Sequence, residues 1–466
     1  MKKLLPKKYR RLLWAGLLAC LVLYVLGSLL VPPLAGTQRK SDRQIKLPAP
    51  AAERVCLVDG NEEALHWRLR LIRSAQSEIV LSTFDFRADE SGSDVVAALL
   101  DAAERGVQVR LLVDGMNAQL HLQGSAAFQA LAAHENAEVR LYNPLRLTQL
   151  WTVNYRCHDK YLIIDRGAYL LGGRNTSDLF LGSGGTTRQN MDRDVVVCGS
   201  GSGRGSAAAL LDYFEDIWAL DTNREFRVNG EAGRVLRAAA ALRERWTAIT
   251  GAGRVTPIDW DAETIQAGGV TVLRGDCAAR NKEPVLLNTL TALMQGGREQ
   301  IVVQTPYVIC NRAMYDALEK AAGGAAQVQI ITNAPQSGAN PWGCADYLNQ
   351  KKAILSTGVS VCEWHGERSM HTKTILIDDR FSIIGSFNWD MRSAYLDTEL
   401  MLLVDCPKLN AALRAEADEM VRQGRLLLPD GTAVEGAAYT APEMPLYKRL
   451  LQPVLRVVIR PFRYVL

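Results

Sequence analysis

A chain of 466 residues is long enough for two domains or for one large duplicated one. Its 48% hydrophobic and 22% charged content is ordinary for a globular protein. A net charge of only +4 is too small for a nucleic-acid footprint, and the basic residues gather at the two ends instead.

Lys2, Lys3, Lys7, Lys8, Arg10 and Arg11 open the chain, and Leu12 to Val31 then run without a charge. At about 1.5 Å per residue that run spans a hydrocarbon core of roughly 30 Å. It predicts one transmembrane helix, ended by Pro32-Pro33, so that residues 1–36 form a basic segment and anchor. A cleaved signal peptide is the competing reading. Leu17-Leu18-Ala19-Cys20 faintly resembles a lipoprotein cleavage box, but the apolar run continues well past Cys20 and favours an uncleaved helix. A polar linker, 37–52, carries Arg39, Lys40, Arg43 and Lys46. Basic groups are more numerous before the helix than after it. This predicts a single-pass cell-membrane protein with its N-terminus inside and its catalytic body extracytoplasmic.

From residue 53 the chain alternates strand-like and helix-like stretches, the pattern of an α/β sheet. Ile79 to Phe84, Val107 to Val113 and Val139 to Tyr142 read as strands, with Asp94 to Arg105 as an amphipathic helix. A comparable succession follows in the second half, so 53–250 and 251–440 are expected to be two copies of one unit. Residues 441–466 mix Lys448, Arg449, Arg456, Arg460 and Arg463 with apolar side chains. This tail either lies on an anionic membrane surface or packs on the domain, and Pro453 and Pro461 are expected to break it.

Each half holds the same short frame. His158-Asp159-Lys160 is followed by Asp165 and then Gly172-Gly173-Arg174-Asn175; His371-Thr372-Lys373 is followed by Asp378 and then Gly385-Ser386-Phe387-Asn388. Both read H-x-K-x4-D-x6-G-[GS]-x-N, in a chain with only six histidines. In an extended strand residues i and i+2 share a face, so each histidine sits beside its lysine. Two such pairs facing one another would surround a phosphate with imidazoles and ammonium groups, and Asn175 and Asn388 would add amide donors. That suits phosphodiester chemistry in which one imidazole attacks phosphorus and the other protonates the leaving oxygen, without metal or cofactor. By the same alternation Cys157 faces away from His158 and is expected to pack.

These residues resemble the double HKD motif of the phospholipase D superfamily, and most closely the bacterial cardiolipin synthases and related phosphatidyltransferases. The resemblance implies an α/β fold of two mixed β-sheets flanked by helices, with the active site at a pseudo-twofold interface between the copies. It implies catalytic roles for His158, Lys160, Asp165, His371, Lys373 and Asp378, with His158 attacking and His371 as the acid. Asp165 and Asp378, each at a strand end, also suit purely local support. The family further has an acidic residue on the strand after each motif, and Asp194 and Glu399 are expected to fill that place and orient a histidine. Gly173, where the second copy has Ser386, is the visible departure.

The expected partners are a phospholipid such as phosphatidylglycerol and the membrane, with no nucleic acid; the oligomeric state is left open. Water as acceptor would make the enzyme a phospholipase D, and a lipid or glycerol hydroxyl would make it a phosphatidyltransferase. A nuclease of the same superfamily is the remaining alternative. Thr176 to Asn190, a polar insertion absent from the second half, is either a lid or an inert loop. Nine cysteines are present, and the eight besides Cys20 permit disulfides if the body is external.

Overall fold

The computed structural model describes residues 7–182, 189–199, 205–324 and 326–466. It contains two nine-stranded mixed sheets. In the first, Arg54–Val58, Asp194–Cys198, Ala168–Gly172, Tyr161–Ile164, Glu78–Thr83, Gln108–Asp114 and Ala137–Tyr142 lie side by side in that order. In the second, Gly269–Arg274, Leu400–Asp405, Phe381–Gly385, Thr374–Ile377, Gln300–Gln304, Gln327–Asn333 and Ser360–Trp364 repeat the same order. The duplication read from the motifs is therefore a duplication of topology. The first sheet is completed by Arg224–Glu225 at one edge and, at the other, by Ile265–Gln266, which lies beyond residue 250 in the chain and pairs with Arg54–Val58.

The strands read as near-continuous apolar runs because both faces of each sheet are covered. Period-two alternation then divides their side chains. In the first sheet Leu162, Ile164 and Val196 belong to an outer core beneath helices Asn61–Ser74, Glu90–Glu104 and Ala232–Gly251. Tyr161, Ile163, Val195 and Val197 belong to a second core shared with helix Ser206–Trp218 and the whole second half. One apolar interior thus joins the two sheets, and the motif strands are central in both.

The helix Lys7–Gly36 is the one described helix long and apolar enough to cross a membrane. It does not end at Pro32-Pro33 as the sequence led us to expect; it runs on to Gly36. Pro33 has no N–H for the Leu29 carbonyl, and Asn154 of the body donates its side-chain amide there instead, at 2.8 Å. Ser28, Pro33 and Thr37 are buried against the body, whereas residues 8–24 project from it. Near the far end of that contact Tyr24 donates its hydroxyl to the Leu147 carbonyl.

The C-terminal tail also departs from expectation. Pro453 does not break it: Leu446–Val458 is helical through the proline, and a 3-10 segment, Arg460–Val465, follows. All nine cysteines are unpaired.

Candidate active site

His158 and His371 stand just before the strands Tyr161–Ile164 and Thr374–Ile377, and each is pinned by the opposite half. The His158 N–H donates to Thr398 Oγ1 at 3.1 Å, and the Thr398 N–H donates to the Arg156 carbonyl at 2.9 Å. The His371 N–H donates to the Met191 carbonyl at 2.7 Å, beside the short parallel pairing of Ser369–Met370 with Asn190–Met191. The site is assembled by this reciprocal docking, and neither half holds its own histidine alone.

The carboxylates cross in the same way. Glu399 Oε1 lies 2.9 Å from His158 Nδ1, and Asp192 Oδ2 lies 2.5 Å from His371 Nδ1. Glu399 stands where the sequence placed it, but Asp194 does not serve a histidine. It is fully buried in ion pairs with Arg68 at 3.0 Å and Arg174 at 3.4 Å. Strand register explains the correction. Gly172 pairs with Asp194 and Gly385 pairs with Met401, so the residue matching Glu399 lies two positions before Asp194. That residue is Asp192, two positions before its ladder residue just as Glu399 is.

Gly173 and Ser386 complete the asymmetry. Ser386 and Ser393 both donate hydroxyls to the Glu399 carboxylate, the latter at 2.5 Å. A Cβ on Gly173 would lie 2.3 Å from Asp192 Oδ1, so a serine there would collide with the shorter carboxylate. The preceding glycines, Gly172 and Gly385, are needed for close approach: a Cβ would come within 2.3 Å of the Arg193 carbonyl and 2.1 Å of the Leu400 carbonyl.

Lys160 and Lys373 are 2% and 1% exposed, and each donates to the carbonyl of its own motif histidine. Lys373 Nζ also lies 2.6 Å from His371 Nδ1. Phe84 packs edge-on against His158 with ring centres 5.2 Å apart, and Phe180 packs against His371 at 5.0 Å. Phe180 belongs to the polar insertion, so the start of that segment covers a histidine; residues 183–188 within it lie outside the described residues. Asn175 accepts the Asp85 N–H through Oδ1 at 3.3 Å, and Asn388 Oδ1 is buried without a hydrogen-bond partner among the described residues. Beside His371 a cavity of about 220 Å³ opens, bordered by Tyr307, Asn333 and Ser369.

Burial dominates the electrostatics and distinguishes the two pairs. Burial, with Lys160 next in importance, holds His158 well below its usual range. Burial and then Lys373 bring His371 down to about 4. Burial pushes Glu399 up to about 8, against the pull of Lys160 and the two serines. Burial acts the same way on Asp192, but Lys373 and His371 outweigh it and hold that carboxylate at about 2. Burial lowers Lys160, and it brings Lys373 down to about 8. At neutral pH His371 therefore faces a full negative charge and His158 faces a carboxyl that readily holds a proton.

Asp165 and Asp378 are not brought to the site. They occupy the opposite ends of the motif strands, with φ of 47° and 51°. Asp165 accepts the backbone N–H groups of Gln76, Ser77 and Glu78. Asp378 accepts those of Arg298, Glu299 and Gln300. Each ties a strand end to the start of its neighbouring strand.

The description of the cardiolipin synthase, PLD-like domain matches residues 69–218 and 290–421, which include both motifs. The chain belongs to the phospholipase D superfamily, and it is an enzyme of that superfamily. Cardiolipin synthase C of Escherichia coli strain K12 is 26% identical to it over 391 residues, 74% of this chain and 80% of that one. Cardiolipin synthase of Geobacillus kaustophilus is 25% identical over 358 residues, 76% of this chain and 63% of that one. The crystal structure of phosphatidylserine synthase from Haemophilus influenzae Rd KW20 shares the fold, with a TM-score of 0.63 at 16% identity, covering 90% of this chain and 98% of that one.

Within this phospholipase D fold, one group of described residues has the spacing of metal ligands: His158, Asp397 and Glu399, whose ligand atoms lie within 4.8 Å of one another. Those atoms are already engaged. Glu399 is shared among His158, Ser386 and Ser393, and Asp397 forms a two-pronged pair with Arg392 at 3.0 and 3.2 Å. The set fits an oriented imidazole better than a cation. The residues that sequence reasoning missed are Asp192, Ser393, Thr398 and the two phenylalanines. Asp192 was recoverable only by aligning the strands that follow the motifs; the others carry no signal outside three dimensions.

Proposed function

We propose that the chain is a membrane-anchored phosphatidyltransferase of the cardiolipin synthase type, working through a phosphohistidine. The carrying observation is the crossed arrangement, His158 with Glu399 and His371 with Asp192. His158, uncharged and oriented through Nδ1, attacks the phosphorus of a phospholipid through Nε2. His371, drawn toward the imidazolium by the Asp192 charge once a phosphate arrives, gives its Nε2 proton to the departing alkoxide. His371, now neutral, then takes the proton of the acceptor hydroxyl, whose oxygen displaces His158 from phosphorus. Lys160, Lys373 and the amides of Asn175 and Asn388 carry the charge that gathers on the phosphoryl oxygens. The reaction needs no metal, and turnover in a chelator should equal turnover without it.

The relatives named cardiolipin synthase support a phosphatidylglycerol donor and a lipid hydroxyl acceptor. The test is to incubate full-length protein with phosphatidylglycerol labelled in its phosphatidyl group and separate the lipids, with a rapid detergent quench at neutral pH to trap labelled protein. Cardiolipin and an acid-labile labelled enzyme are expected. Phosphatidic acid alone would make the enzyme a hydrolase, and recovery of the labelled phosphatidylglycerol unchanged would overturn the reading. The helix Lys7–Gly36 would hold the body at the membrane with residues after 37 outside. Protease added to intact spheroplasts should then digest the body; protection until lysis would reverse the topology.

A further inference from the structure

The helix Leu446–Val458 turns a mixed stripe, polar at its first two positions, toward the body. Lys448, Gln452, Leu455 and Ile459, one stripe at helical spacing, turn toward the body. Lys448 donates to the carbonyls of Gln336 and Gly338, and Arg456 exchanges hydrogen bonds with Asn349. The opposite stripe is apolar and uncovered: Leu450 and Val457 are each 65% exposed, Leu446 61% and Val454 57%. A soluble amphipathic helix packs the other way round. The mounting is firm, because Arg463 just beyond it pairs with the buried Asp346 at 3.0 Å and donates to the Cys310 carbonyl.

We infer that this helix lies on an anionic bilayer surface and forms, with the neighbouring loop, the membrane-docking face of the body. Three observations choose a bilayer over a protein partner. From Met444 to the C-terminus there is no acidic residue, while Arg449 and Arg460 flank the apolar stripe and are exposed. The 3-10 segment that follows the helix packs against Lys7–Gly36, so the helix that carries the exposed stripe is joined to the emerging N-terminal helix through that segment. Leu147–Thr152 packs against that helix as well, and Leu147 and Trp151 are 78% and 44% exposed. Apolar side chains thus accompany both segments that touch the emerging helix.

The inference rests on the proposed membrane anchorage, and the experiment separates the two. Full-length Cys20→Ser protein carrying Leu450→Cys or Val457→Cys is labelled with a fluorophore, with the parent as blank, and reconstituted in phosphatidylglycerol–phosphatidylcholine vesicles containing brominated lipids. Quenching at 450 and 457 is expected, as it is for Val22→Cys in the N-terminal helix, and none for Leu236→Cys on helix Ala232–Gly251. Quenching at 22 but not at 450 or 457 would overturn the inference and leave the anchor standing. No quenching at any position would overturn both. A 450 label shielded from aqueous iodide yet untouched by brominated lipid would give the face to a protein partner instead. A Leu450→Glu/Val454→Glu/Val457→Glu variant should lose about tenfold in turnover on vesicles, because withdrawing three apolar side chains removes most of the helix's membrane affinity. On a short-chain substrate dispersed in water it should match the parent.

Discussion

In the second half Glu399 reaches across to His158 and is held by two serine hydroxyls; in the first half Asp192, one methylene shorter, reaches across to His371 and has Gly173 beneath it. The backbone around the two carboxylates repeats, so the difference lies in the side chains alone. It teaches how a duplicated site becomes directional. Burial lets Glu399 keep a proton, against the pull of the two serines, and leaves His158 uncharged, as the proposed nucleophile must be; the lysine beside Asp192 keeps that carboxylate charged, as the partner of the proposed acid must be.

The sharpest break of this comparison removes either imidazole. His158→Ala and His371→Ala should each lower phosphatidyl transfer by about 10³-fold or more, since one step loses its nucleophile and the other its acid. With a nitrophenyl phosphodiester, whose leaving group needs no proton, His371→Ala should still give a burst of product and His158→Ala none. A burst from the His158 variant would exchange the roles.

Changing the carboxylates tests the charge difference directly. Asp192→Asn should cost about 10²-fold in turnover and Glu399→Gln only about tenfold, because an amide replaces a charge in the first case and a largely protonated carboxyl in the second. Equal losses would mean that the two carboxylates act alike.

Gly173→Ser should cost about tenfold in turnover, by displacing Asp192, whereas Ser386→Gly should cost less, at roughly one hydrogen bond or about 1 kcal/mol. The ratio of the two rates, at equal folded fraction by circular dichroism, measures how far the halves have diverged.

Lys373, brought to about 8 by burial, should set an alkaline limb in the rate, with turnover falling as pH rises past about 8. Lys373→Arg, if its fork is accommodated, should push that limb beyond the accessible range. Stability runs the other way. A lysine whose pKa is lower folded than unfolded leaves the unfolded chain binding more protons between the two values, so global stability from this group rises with pH across that window. Denaturant titrations at pH 8 and pH 10 of the native and Lys373→Met proteins check the sign.

The smallest effect on rate is expected from the aspartates that the motif includes. Asp165→Ala or Asp378→Ala should leave turnover per folded molecule nearly unchanged while costing about 1–3 kcal/mol of stability, because three backbone N–H groups lose their acceptor. A large loss of rate in correctly folded protein would return these residues to the chemistry.

The histidines, lysines and asparagines were legible because a motif fixes the spacing between a strand and the turns around it. The alternating sheet pattern was legible for the same reason: local periodicity is written in the chain. Asp192 was not, because choosing between two acidic residues two positions apart needs the hydrogen-bond register of the strand that follows. The continuation of Lys7–Gly36 past its prolines was hidden for a related cause. The donor that makes it possible, Asn154, is remote in sequence and only the fold brings it to Leu29. The C-terminal helix was obscured by Pro453, which lies near its middle and leaves the exposed Arg449 carbonyl to solvent in place of a helical donor.

That joint between Asn154 and the proline-bearing turn has one more effect. With Ser28, Pro33 and Thr37 buried against the body, the helix is held at several points where it meets it, although the polar residues just after look like a tether. Asn154 is four residues from His158 and Arg392 donates to its carbonyl, so the segment that leads into the first motif is tied to the helix. If Lys7–Gly36 spans the membrane as proposed, this joint would fix the working height of the body above the lipid, and encounters between site and substrate would become a matter of lateral drift in a plane.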